Sequence, residues 1–99
     1  MNNFDLNNYV YITSNPRRTV FYVGVTNSLE RRISEYHSNK GKPETFAGKY
    51  FCYELIYFEV FQNINEAIYR EKELKTLSRE NKLALIKSVN PKLKKYAIL

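Results

Sequence analysis

Two runs of β-branched and aromatic residues, parted by only four residues of turn chemistry, commit this chain to an antiparallel hairpin near its start. Tyr9 to Ser14 alternates two ways, with Tyr9, Tyr11 and Thr13 on one side and Val10, Ile12 and Ser14 on the other. Thr19 to Val25 has the same strand character, and Asn15-Pro16-Arg17-Arg18 between them is of hairpin length. With those four residues as the loop, Ser14 pairs with Thr19 and Tyr11 falls directly opposite Tyr22. Beyond Gly24, Thr26-Asn27-Ser28 offers helix caps, with Glu30 three past Asn27 as in a capping box, and the spacing predicts a helix to about His37. Ser38 to Tyr50 holds two of the three glycines and Pro43, and reads as a long loop. Phe51 to Phe61 is apolar on both faces, the pattern of an interior strand covered on two sides. Asn63 with Glu66 opens a helix to about Leu77; Ser78 caps another that ends at Val89, before Asn90-Pro91. The expected fold is α+β, a small three-stranded antiparallel sheet flanked by helices in the order β-β-α-β-α-α.

A chain of 99 residues has room for one hydrophobic core, so a single domain over 1–99 is expected. Its 43% hydrophobic and 26% charged residues are those of a globular domain. No apolar run approaches the roughly 18 residues that cross a bilayer, and the Met1–Asp5 start lacks a basic and apolar signal, so a cytoplasmic protein without membrane contact is expected. One cysteine, Cys52, and one histidine, His37, exclude an internal disulfide and a Cys/His zinc set. A metal would therefore be held by carboxylates.

The net charge of +6 lies in one third of the chain, since residues 70–95 hold nine basic groups and three acids. Such asymmetry points to a polyanionic partner, most simply nucleic acid. It equally fits a solvated helix face laced with i,i+4 pairs such as Glu71 with Lys75.

Two charges interrupt apolar stripes. Arg32 shares the face of Leu29, Ile33 and Tyr36, and Glu71 that of Ala67, Ile68 and Leu74. Burying an unpaired charge costs several kcal/mol, so each needs a partner, a bound ion or a cleft. Pairing with each other would satisfy both. An inward arginine, an inward carboxylate and two adjacent tyrosines also make up the inventory for phosphodiester hydrolysis.

With these residues in view, the sequence resembles the GIY-YIG nuclease family, in particular its small standalone members, over roughly residues 8–92. Tyr9-Val10-Tyr11 stands where the family has Gly-Ile-Tyr, and Tyr22-Val23-Gly24 where it has Tyr-Ile-Gly. The run Thr26 to Arg32 is similar to the helix bearing the family's catalytic arginine, which falls on Arg32. Ala67 to Lys75 resembles the segment with the metal-binding glutamate, which falls on Glu71, and Asn90-Pro91 resembles the closing asparagine motif. The resemblance implies attack of water on a DNA phosphate, with Tyr11 or Tyr22 orienting or deprotonating the water. Arg32 would stabilise the pentavalent phosphate and Glu71 would hold one divalent ion, Mg²⁺ or Mn²⁺. Gly24 would allow close backbone approach, Tyr36 takes a position often His or Tyr, and Asn90 would brace the site. Lys49, at the end of the long loop, is a candidate phosphate contact, with a solvated loop as the alternative. The chain has no room for a target-reading domain, so recognition of DNA shape, or a protein partner that supplies the address, is expected.

Two other readings stand beside this one. The aromatic strand Val20 to Gly24 before a helix is similar to the start of an RNA-recognition sheet, although Lys49 to Tyr53 supplies no matching second motif. A nuclease fold without turnover, serving as a nucleic-acid-binding scaffold, is the other.

Overall fold

In the computed structural model, residues 7–97 are described. The Met1–Asp5 start considered above lies outside them. Seven elements follow in order: β1 (Asn8–Ser14), β2 (Phe21–Thr26), α1 (Leu29–Asn39), α2 (Phe46–Lys49), β3 (Glu54–Phe61), α3 (Ile64–Thr76) and α4 (Arg79–Val89). The expected β-β-α-β-α-α order holds, with α2 as a one-turn addition inside the long loop.

The sheet is antiparallel in the order β2-β1-β3, which corrects the expected interior position of β3. The most apolar strand is an edge and β1 is the centre. Over Leu55 to Tyr57 the apolar residues on both faces of β3 reflect cover from above and below the sheet, not a neighbour on each side, whereas Phe58 and Val60 further along are exposed, against the expected cover. Leu55 joins the cluster on one face, while Ile56 and Tyr57 join the other. An irregularity at Ile12/Thr13 of the β1–β3 pairing puts consecutive β3 residues out of simple alternation. The outer side of β3 is covered by the C-terminal segment, where Tyr96 N donates to Leu55 O at 2.8 Å.

The hairpin register also differs from expectation. Tyr11 pairs with Gly24, and Thr13, not Tyr11, pairs with Tyr22. Asn15 is the cause. Its Oδ1 accepts from Thr19 N and Val20 N, both at 2.9 Å, and Arg18 turns the chain at φ +59. Thr19 and Val20 are thereby used by the turn and cannot extend β2. The slip is of two residues, so every side chain keeps its face and Tyr11 and Tyr22 remain diagonal neighbours.

Helix α1 is capped by Ser28, whose Oγ accepts from Arg31 N at 3.2 Å, so the Asn27/Glu30 box is not the cap used. Asn63 and Ser78 cap α3 and α4 as expected. The helices lie on both faces of the sheet. Ala67 and Leu74 of α3 and Ile86 of α4 pack on Val10, Ile12 and Val23. Ile33 and Tyr36 of α1, with Ala47 of α2, pack on Tyr11. With both faces covered, an open aromatic sheet of the RNA-recognition kind is absent among the described residues.

Asn90 locks the C-terminal segment to this framework. Its Nδ2 donates to Ile56 O at 2.9 Å and Lys94 O at 2.8 Å, and its Oδ1 accepts from Lys94 N at 3.1 Å. Both amide hydrogens are taken, so Asn90 offers no free donor to a substrate. Removing it strands a buried carbonyl, and Asn90→Ala is expected to lower stability by about 1–3 kcal/mol in urea denaturation. A change below about 0.5 kcal/mol would show that the tail is held otherwise.

Candidate active site

The register places the Tyr11 phenol over Gly24. A Cβ built on Gly24 would overlap the Tyr11 hydroxyl and ring, so only glycine admits this approach. Gly24 therefore makes room for the tyrosine inside the molecule, and the close neighbour it accommodates is protein.

Around that phenol the site assembles from three elements. The Tyr11 and Tyr36 hydroxyls are hydrogen-bonded to each other. Arg32 Nη1 donates to Tyr11 Oη at 3.3 Å, from one turn before Tyr36 on α1. Arg32 Nε lies 3.2 Å from Glu35 Oε1, an ion pair out of line for a hydrogen bond, and Nε has no hydrogen-bond partner among the described residues. The side chain of Arg32 is 31% exposed, so the guanidinium is anchored inside while part of it faces out. Tyr22 meets Tyr36 edge to face, with ring centroids 6.1 Å apart.

The electrostatics follow from burial. Desolvation holds the Tyr11 phenol above the ordinary value of 10.0 and the Tyr36 phenol well above it, and the nearby guanidinium offsets this only partly. For Arg32, desolvation opposes the charge, yet hydrogen bonds to Tyr36 and Tyr11 raise its pKa overall. The cluster is a permanent cation held by two neutral phenols.

Glu71 stands on α3, whose buried face packs against the opposite side of the sheet. Its side chain is 17% exposed and Oε2 lies 3.5 Å from Lys75 Nζ, the i,i+4 pair anticipated above. No hydrogen bond or ion pair among the described residues joins Glu71 to Arg32, Tyr11 or Tyr36, and no three His, Cys, Asp or Glu residues come together as a metal cluster. The sheet lies between the two helices. Lys49 is exposed at the end of α2, its Nζ 5.4 Å from the centre of the Tyr50 ring. Asn90 belongs to the C-terminal lock. His37 is exposed beside Tyr53. Cys52 is fully buried, and desolvation pushes its thiol up to about 11, an inert packing residue.

Sequence reasoning missed two residues at the site and one ionic cluster away from it. Phe46 stacks on Tyr22 at 5.5 Å; its place in the glycine-bearing loop gave no periodic signal. Glu35, three after Arg32, was the available clue to the arginine's partner. On the far face, Arg70 donates to Glu59 (Nε to Oε1, 2.9 Å) and Tyr57 donates to the same carboxylate. Burial pushes the Glu59 carboxyl up, but the hydrogen bonds from Arg70 and Tyr57 outweigh it and its pKa is lowered.

A family model for the GIY-YIG catalytic domain matches residues 7–84. The chain belongs to the GIY-YIG family of nuclease domains. Among its relatives, a UPF0213 protein of Clostridium perfringens is 39% identical, over 90% of this chain and 92% of that protein. Another, from Staphylococcus haemolyticus, is 37% identical over 79% of this chain and 92% of its own length. The solution NMR structure of a UPF0213 protein from Bacillus halodurans is similar in fold and 30% identical, with TM-score 0.55, covering 87% of this chain and 88% of that one. No helix among the described residues is long and apolar enough to cross a membrane.

The raised phenols have a pH signature. Tyr57 is also pushed up to about 12, by burial and by the Glu59 carboxylate. As pH rises past about 10 the unfolded chain loses these protons while the folded chain keeps them, so stability is full below pH 10 and falls above it. In a 295 nm titration, Tyr36 and Tyr57 should stay protonated at pH 11 for as long as the helices persist, and Tyr11 should ionise later than the exposed tyrosines. Ionisation of all nine tyrosines near pH 10 in the folded protein would contradict the buried cluster.

Proposed function

We propose that the protein is a metal-dependent endonuclease that hydrolyses DNA phosphodiester bonds, acting on DNA of particular structure or directed by a partner protein. The observation that carries this reading is a guanidinium hydrogen-bonded to Tyr11, itself bonded to Tyr36, yet partly open to solvent, within a GIY-YIG domain. A cation already oriented before substrate arrives stabilises charge that develops in the transition state.

The chain's residues divide the work as follows. Arg32 faces the scissile phosphate and stabilises the equatorial oxygens. Tyr11 keeps its proton at neutral pH and serves to hold Arg32 in place. Its hydroxyl is committed to Tyr36 and Arg32, which leaves Tyr22 as the motif hydroxyl available to orient the attacking water by a hydrogen bond; as the water oxygen bonds to phosphorus its proton passes to solvent, and the leaving oxygen takes one up from solvent as its bond to phosphorus breaks. Glu71 would hold a divalent ion, Mg²⁺ or Mn²⁺, through its single carboxylate. When bound, such an ion neutralises charge on the leaving oxygen. Lys75, 3.5 Å from that carboxylate, would have to yield it to the ion. Helices α1 and α3 lie on opposite faces of the sheet, with Tyr36 of α1 against Tyr22 of β2, and β2 has no outer strand partner among the described residues. DNA laid along that edge would meet Arg32 from one side and Glu71 from the other.

Lys72, Lys82, Lys87, Lys92, Lys94 and Lys95 form no ion pair among the described residues, and so are free to meet phosphates. Engagement of four to six would give a log-log salt slope of about −4 to −5, and a flat dependence would exclude this face from binding.

Supercoiled, branched and flapped DNA should be nicked in Mg²⁺ or Mn²⁺. Arg32→Ala is expected to lose about 10³- to 10⁵-fold in rate, by analogy with arginines that face a transferring phosphoryl group, and Glu71→Ala should be comparably silent. Wild-type nicking no faster than that of either variant would refute the reading.

A further inference from the structure

The loop between α1 and β3 is a folded support. Gly41 N donates to Gly48 O at 2.7 Å and Cys52 N to Ala47 O at 2.8 Å, while Thr45 caps α2. A Cβ on Gly48 would overlap the carbonyls of Asn39 and Lys42, so the two sides of the loop close on that glycine. Ala47 points into the core beneath Tyr11 and Tyr36. Its neighbour Phe46 consequently points out, with 49% of its surface exposed.

Phe46 does not stand alone. Its ring lies 5.5 Å from Tyr22 at 25°, nearly parallel, and 4.7 Å from Tyr50, itself 40% exposed. Tyr22 in turn meets Tyr36 at 6.1 Å. A continuous file of rings therefore leads from the Arg32 cluster to solvent. Lys49 sits over Tyr50, and the loop carries Lys40, Lys42 and Lys49 against Glu44. Rings that display a face, interleaved with cations and continuous with a phosphate-directed arginine, fit a nucleotide strand whose bases are unpaired; a base inside a duplex has no face to offer. An apolar protein surface would gain nothing from the lysines.

We propose that Phe46, backed by Tyr22 and Tyr50, is a stacking shelf for an unpaired base next to the scissile phosphate, so that the substrate class is DNA with a single-stranded segment. This rests on the nuclease reading for the position of the phosphate. The shelf itself is tested without cleavage.

The test is fluorescence anisotropy in EDTA, comparing single-stranded DNA with blunt duplex of equal length, with 2-aminopurine in the strand to report stacking. Wild type should favour the single strand and change its 2-aminopurine emission. Phe46→Ala should weaken single-strand binding by about 5- to 150-fold, the range of one base–aromatic stack, and leave duplex binding within twofold. Phe46→Trp should restore it, and Tyr50→Ala should give a smaller loss in the same direction. Equal weakening of both DNAs, or none, would overturn the shelf, as would equal wild-type affinity for the two. Arg32-dependent nicking without the Phe46 effect leaves the nuclease reading standing and removes the shelf. A Phe46 effect on binding with no nicking retains the shelf and removes the nuclease.

Discussion

The buried hydroxyl of Tyr11 is the contact on which the rest of this structure depends. A phenol at the centre of the sheet must find partners or incur the cost of an unsatisfied polar group, about 1–3 kcal/mol. It finds Tyr36 and Arg32, both on α1. One oxygen thus fixes the rotation and height of α1 over the sheet and aims the guanidinium. The arrangement requires glycine at position 24, because any side chain there would occupy the space of the phenol. It also requires the Ser28 cap, which starts the helix one turn before Arg32.

The molecule separates its ionic groups by task. Arg18 ties the hairpin turn to Glu54 at 2.7 Å and to Leu93 O at 2.8 Å, and Arg70 is absorbed by Glu59 and Glu73. Arg79 donates to Thr19 O at 2.7 Å and covers the Phe21 ring. These arginines hold elements together. Arg32 differs in resting against a neutral phenol on its inner side and sharing only the half-exposed Glu35 on its outer side, so part of the guanidinium stays open to a phosphate. The lysines of the C-terminal third supply the longer-range field.

Much of this was legible in the sequence, for identifiable reasons. Helix caps at Asn63 and Ser78, the stripes of α1 and α3 and the turn at Asn15 are local codes, and local codes can be read without a fold. The inward Arg32 followed from the spacing of Leu29, Ile33 and Tyr36. What escaped reading depended on choices between near-equal local options. Asn15 could close a four-residue turn or capture Thr19 and Val20 with its side chain, and the second shifted the register by two. Strand β3 is apolar on both sides whether it is central or an edge sealed by a tail, and only the Asn90 lock decides. The long loop hid α2, because a single turn has no periodicity to detect. Glu71 was correctly placed on an apolar stripe, but a stripe does not say which face of the sheet it meets.

The guanidinium of Arg32 and the carboxylate of Glu71 are proposed to serve one substrate across the β2 edge. Paramagnetic relaxation by Mn²⁺ in the presence of a short DNA strand addresses this directly. The account predicts broadening of Glu71 side-chain resonances together with those of the Arg32 guanidinium, both lost in Glu71→Gln. Broadening confined to α3, with Arg32 and Tyr22 untouched, would put the two groups in separate regions and contradict it.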